Sequence, residues 1–263
     1  MPQLPPDLLA LFAAATLAGA VNAIAGGGSL ITFPLLVWLG REPLLANATN
    51  TVSLAPGAVA ALTGFRRELA GIGPWVALLS IPSILGGLLG GWLLLRTPAP
   101  LFDWLVPWLL AAGTALLALA DPITRLVRRR AGGTADPGDG VPPHPRWVQA
   151  ITYQFLVSVY GGYFGGGMGI MMLAGLAFLG FTAIHRMIAL RNVYGMWING
   201  VAAAYFILRG RVVWSDALVL TVGQVIGALL SARMARGLRP GVVRAMVIAI
   251  GVAMSASLFL RGR

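Results

Sequence analysis

The chain has 263 residues, 58% hydrophobic and 10% charged, with a mean hydropathy of +0.83; such apolar content excludes an ordinary soluble domain and points to several membrane crossings. Its formal charge of +11 comes from 19 arginines and no lysine set against 8 acidic residues; many of these arginines separate apolar runs, where positive charge sets topology, so no nucleic-acid partner is needed. There is no cysteine, which removes structural disulfides, thiolate metal sites and thiol catalysis.

The N-terminal stretch MPQLPPDLLALFAAATLAGA lacks a basic start, so it reads as part of the mature membrane domain rather than a secretory signal. A first apolar segment, about Leu8 to Leu39, is interrupted by Asn22 and by Gly26, Gly27 and Gly28. Three consecutive glycines mark a short unwound region, which hydrocarbon tolerates only where protein or a water-filled cavity satisfies the freed backbone. Two readings stay open: a solute site of the kind that discontinuous helices form, or close helix packing. Asn22 likewise either contacts solute or caps a helix end.

After Arg41-Glu42-Pro43, a segment from about Leu44 to Gly64 begins ANATNTV. Asn47 and Asn50, three apart, share a helix face that must look into the protein, toward solute or toward another helix. The crossing from about Trp75 to Leu95 carries Gly86, Gly87, Gly90 and Gly91, a small-xxx-small pattern expected to pack helices. A fourth segment spans about Leu101 to Ala120. The stretch from Asp121 to Arg146 contains four arginines before GGTADPGDGVPPHP and reads as an exposed linker.

The second part repeats the plan. An apolar region from Trp147 is broken around Gly165, Gly166 and Gly167 and ends near Gly180. The segment Ala183 to Leu208 then carries His185, Arg186, Arg191, Asn192 and Asn199, and Trp214 to Ala232 and Val242 to Leu260 complete the set. Gly26 to Gly28 align with Gly165 to Gly167, Gly40 with Gly180, Asn50 with Asn192, and Trp75, Gly87 and Leu89 with Trp214, Gly227 and Leu229. An ordered series of this kind indicates internal repeats, 8–120 and 147–260, joined by the linker 121–146 in a single membrane domain.

Topology turns on whether each broken segment crosses once or returns to its starting side. With returning hairpins, Arg41, Arg96, Arg209, Arg211, Arg261 and Arg263 share one side and the other 13 of the 19 arginines lie opposite. That split is sharper than single crossing gives, and it favours inverted repeats with the linker in the cytoplasm. Ser29 to Leu39, 11 residues or about 16 Å as helix, is too short to span hydrocarbon and suits half of a re-entrant pair. The expected fold is therefore an all-α polytopic membrane protein of two homologous halves. Each half has a glycine-broken helix pair and about three further transmembrane helices.

Arg191 is the strongest functional candidate. A cation at the ninth position of an apolar segment must pair with a carboxylate, bind an anion, reach water or bond to backbone carbonyls. The eight acidic residues all lie near segment ends or in connections, so no mid-segment partner is evident. A solute anion fits, with Asn192 and the N-termini of broken helices as further donors. His185 reads as a surface or capping residue, and Gln154 and Gln224 as cavity contacts or helix-joining groups. No metal site, cofactor site or nucleophile-base set stands out, so an enzyme is not expected.

The motifs AGAVNAIAGGGSLITFPLLVWLG (Ala18 to Gly40), NATNTVSLAPG (Asn47 to Gly57), GGYFGGGMGIMMLAGLAFLG (Gly161 to Gly180) and HRMIALRNV (His185 to Val193) resemble the sulfite exporter TauE/SafE family, also called the 4-toluene sulfonate uptake permease family. The likeness covers nearly the whole chain outside the central connector. It implies a bacterial inner-membrane transporter for a small sulfur-containing anion, sulfite or an organosulfonate; export is the expected direction, and the inverted repeats are the geometry expected for alternating access. A passive anion channel, or an importer of a related organic anion, is the alternative. Carried onto matching positions, the resemblance places function at Asn22, Gly26, Gly27, Gly28, Asn47, Asn50, Gly165, Gly166, Gly167, Arg191 and Asn192. The partners to consider are the anion, membrane lipid, a proton or sodium ion for coupling, and a second copy of the chain in a homodimer.

Overall fold

The structure is a computed structural model that describes residues 6–24, 27–65, 67–130, 140–142, 146–237 and 240–261. Among the described residues ten α-helices follow one another: α1 (Pro6–Ile24), α2 (Ser29–Trp38), α3 (Pro43–Leu62), α4 (Gly73–Arg96), α5 (Ala99–Arg130), α6 (Trp147–Tyr163), α7 (Met168–Phe178), α8 (Ile184–Leu208), α9 (Trp214–Gly237) and α10 (Pro240–Arg261). Both glycine runs interrupt helices, and each separates a longer helix from a short one of 10 or 11 residues. The order long, short, then three long helices therefore occurs twice. α5 continues to Arg130, ten residues past the apolar stretch that ends at Ala120, so the connector starts as helix.

Two stretches among the described residues are long and apolar enough to cross a membrane, α4 and residues 99–119 of α5. α3 and α8 fall short of that because both carry polar residues, and these point inward: Asn47, Thr49, Asn50, Ser53, Arg191, Asn192 and Asn199 are all buried. The outer surface is apolar instead, with Leu85, Trp104, Trp108, Leu218 and Leu229 exposed. Polar groups inside and hydrocarbon outside is the distribution expected where lipid is the solvent.

Packing partners recur when α1–α5 and α6–α10 are exchanged. α1 lies on α9 as α6 lies on α4; α3 lies on α9 as α8 lies on α4; α5 meets α7 as α10 meets α2; α3 meets α8 and α5 meets α10. Glycine makes the closest of these seams. Gly86 and Gly90 press on α6 at Ser158 and Val159, while Gly87 and Gly91, on the neighbouring face of α4, meet Ile198 and Ala202 of α8. A Cβ at Gly90 would overlap the Val159 carbonyl oxygen, and one at Gly227 would overlap that of Thr16, so these positions admit no larger residue without movement.

The contacts also give helix directions. Between α4 and α6 they rise together, from Trp75 with Trp147 (ring centroids 4.4 Å apart), through Ser83 with Gln154 (2.9 Å), to Thr97 with Tyr163 (3.2 Å). α8 also runs along α4, with Tyr194 bonded to Trp75, Ile198 at Gly87 and Ala202 at Gly91. Likewise α1 runs along α9, with Phe12 at Gly223 and Thr16 at Gly227. α3 does so too, with Thr49 bonded to Val213 and Ser53 to Gln224. α5 and α10 run oppositely, with Trp108 against Phe259 and Thr114 against Gly251.

Candidate functional site

The two breaks use glycine differently. At the second, Gly165 and Gly167 have φ of +78° and +79°, a left-handed backbone that only glycine adopts cheaply, and α7 starts directly from it. At the first, Gly28 has φ of −58°; a side chain there would lie 2.5 Å from the Ala18 carbonyl oxygen, so close approach is the requirement. The breaks are neighbours. Leu30 of α2 lies against Gly166, the rings of Phe33 and Phe164 meet edge to face at 5.3 Å, and α5 covers both with Leu117 on Gly27 and Gly113 on Gly166 and Gly167.

Each helix that ends at a break is held by a polar side chain from the other set of five. The Arg191 Nη2 of α8 donates to the carbonyls of Asn22 (2.8 Å) and Ala23 (3.0 Å), the last turn of α1. The Asn47 Nδ2 of α3 donates to the carbonyl of Tyr163 (2.8 Å), the last residue of α6. Helix C-termini carry unpaired carbonyls and partial negative charge, so both contacts cover groups that an apolar setting would penalise.

Beside these caps is a small cleft with a cavity volume of about 30 Å³, open on one side. Of the residues expected to carry function, Asn22, Gly165, Arg191 and Asn192 line it. Gly27, Gly28, Asn47, Asn50, Gly166 and Gly167 do not; they shape the breaks behind it. Asn50 accepts a hydrogen bond from Thr32 of α2 at 2.5 Å, the interhelical role left open by its position. Gly26 lies outside the described residues. His185 is exposed, and Gln154 and Gln224 join helices through Ser83 and Ser53.

Ser29, Thr51 and Asn199 also line the cleft and were not singled out as site residues. Helix periodicity carries the signal for two of them: Asn192, Gly195 and Asn199 follow one face of α8, and Thr51 lies one turn beyond Asn47 on α3. Ser29 and Gly169 bring the first turns of both short helices to the cleft, where the partial charge of a helix start is positive.

Arg191 is 4% exposed and also donates to Asn192 Oδ1 at 2.6 Å. Its Nη1 and the Asn192 Nδ2 are buried and have no hydrogen-bond partner among the described residues. No carboxylate among the described residues pairs with it, and Asp216 pairs with Arg41 instead. Leaving a buried donor of a charged group unmatched costs more than the roughly 1–3 kcal/mol of a neutral one, so this Nη1 is a costly unpaired group.

The chain resembles known proteins along nearly its full length. It is 31% identical to a probable membrane transporter protein of Haemophilus influenzae over 258 residues, 96% of this chain and 94% of that one. It is 27% identical to the probable membrane transporter protein ORF9 of a Sinorhizobium species, covering 98% and 95% of the two chains. It is 28% identical to the probable membrane transporter protein YfcA of Escherichia coli, covering 94% and 88%. The sequence profile of the sulfite exporter TauE/SafE family matches residues 11–258, and the chain belongs to that family.

Proposed function

We propose that this protein is a multi-pass secondary transporter of the bacterial inner membrane that exports a small sulfur-containing anion, sulfite or an organosulfonate, by alternating access. One observation carries the reading: a buried guanidinium, unmatched by any carboxylate among the described residues, borders a cleft that both glycine breaks help to form. Arg191 and Asn192 anchor the anion, and Asn22 and Gly165 border it. Asn47, Asn50 and the remaining glycines fix the breaks. The family description supports sulfur-anion export, and the relatives' names support transport across a membrane.

In this reading the segments 8–120 and 147–260 are inverted repeats. Helix directions support it: α6 and α8 both run along α4, so the chain turns back between them and α7 retraces α6. By the same logic α2 retraces α1, since α1 and α3 both run along α9. Each broken pair then returns to its starting side, and the first set runs opposite to the second. Two such sets have two related arrangements with opposite exposure of a central site, the geometry that alternating access needs.

The test is flux in sealed vesicles that hold the purified protein, with sulfite, sulfate, thiosulfate, taurine and sulfoacetate supplied under imposed proton or sodium gradients. Saturable, protein-dependent flux with counterflow is expected. Absence of flux for every anion refutes the proposal, and non-saturable flux without counterflow assigns a channel instead.

A further inference from the structure

Resting on the reading of the cleft as an anion-transport site, we infer that its coupling ion is an alkali-metal cation rather than a proton, held at the α6 end of the cleft by the neutral oxygens of Asn47, Thr51 and Gly161. The proton lacks a carrier. Among the described residues that line the cleft there is no Asp, Glu or His, and Arg191 is the one ionisable group; a guanidinium does not give up its proton in a protein. The two broken helices also end in unlike company. The α1 end is met by the full positive charge of Arg191, whereas the cap on the α6 end is the neutral amide of Asn47, which brings no charge to the partial negative charge there.

Asn47 is 1% exposed, and with its Nδ2 fixed on the Tyr163 carbonyl its Oδ1 stands at the same helix end, buried and without a partner among the described residues. Phe164 and Gly165 both donate to the Tyr160 carbonyl, so the Gly161 carbonyl beyond it has no helical donor. Its oxygen lies 3.1 Å from where a Cβ would stand on Gly165, a residue of the cleft lining. Thr51, one turn from Asn47, also lines the cleft; it donates its hydroxyl proton to Asn47 O at 2.9 Å, which leaves the Oγ1 lone pairs as acceptors. Oxygens that accept and do not donate suit a hard cation, and without a carboxylate among them they suit a monovalent one. Unwound backbone and the C-terminal ends of half-helices hold such ions in transporters built from repeats. An anion on Arg191 adds the balancing charge, so each ion favours the other. Moving together they couple flux to the cation gradient, and an outward K⁺ gradient then drives export.

The experiment is calorimetric binding of sulfite to the purified full-length protein in sodium, potassium or choline gluconate at one ionic strength and pH. Affinity should be at least about fivefold higher in sodium or potassium than in choline, and the larger gain identifies the ion. Thr51→Val and Asn47→Ala should each reduce that gain to below about twofold. Thr51→Val keeps the cap on α6, so it decides the matter where Asn47→Ala fails to assemble. Equal affinity in all three salts, or an undiminished cation gain in Thr51→Val, overturns the inference and leaves the anion site standing. Absence of sulfite binding in every salt overturns the anion reading instead; the thermal midpoint without sulfite then decides the cation site, a rise in sodium or potassium over choline upholding it and equal midpoints overturning it.

Discussion

Replacing Arg191 with lysine keeps the charge and separates the two tasks that the structure gives to one guanidinium. Nη2 holds Asn22 O, Ala23 O and Asn192 Oδ1 at 2.6 to 3.0 Å, while Nη1 is buried and unmatched among the described residues, the donor that a bound anion would satisfy on the proposed reading. Lysine has a single nitrogen and cannot be in both places. If it stays on the carbonyls, the anion loses a charge-assisted hydrogen bond; if it turns to the anion, the end of α1 loses its cap. A hydrogen bond to a charged group is worth about 1.5–3 kcal/mol, so R191K should weaken anion binding by about 10- to 150-fold. Arg191→Met removes the charge as well and should cost at least as much. Binding to detergent-purified protein, with elution volume on size exclusion as the check on assembly, measures both. Wild-type affinity in R191K would refute the division of labour between the two nitrogens.

Four further outcomes follow from geometry. Gly90→Ala and Gly227→Ala drive a methyl group into a facing carbonyl and should each lower stability by about 1–3 kcal/mol, read as a fall in the thermal midpoint of the purified protein. Gly167→Ala combines a left-handed backbone with contact at Gly113, whereas Gly40→Ala has the same backbone problem in open space; Gly167→Ala should therefore be the more damaging of the two in the same melt, beyond a shared cost of about 1–2 kcal/mol. Asp216 is 1% exposed and raises the pKa of Arg41 above its ordinary value through a hydrogen bond and its charge. Because Arg41 is 42% exposed and screened by solvent, Asp216→Asn should cost only about 1 kcal/mol of stability. Finally, the chain has no cysteine, so single cysteines report sidedness directly. Trp38→Cys and Arg209→Cys should label with an impermeant maleimide from one side, and Thr63→Cys and Phe178→Cys from the other. Pairing of Trp38 with Phe178 would instead mean that each broken segment crosses once.

The helices and their breaks were legible because lipid imposes a simple grammar: long apolar runs, polar or glycine interruptions, and arginines between them. Asn22, Arg191 and Asn192 were legible for the same reason, as polar residues in apolar settings. The partners of those residues were not. Nothing in ANATNTV indicates that Asn47 reaches the end of α6, 116 residues away, or that Arg191 covers the end of α1. Sequence also made the two glycine runs look alike, while the structure uses one for close approach and the other for left-handed backbone. These differences depend on what lies across a helix interface, and local pattern does not encode that.

The seams fix how the molecule can divide when it moves. The close contacts join α1 and α3 to α9, and α6 and α8 to α4, so the blocks able to stay rigid are drawn from both ends of the chain. They touch along α3 and α8, the helices that supply Thr51, Leu54 and Ala58 on one bank of the cleft and Arg191, Asn192 and Asn199 on the other. A rocking motion that spares the glycine seams must hinge along that line. Separating the first five helices from the last five as whole bodies would instead part all four of these seams at once.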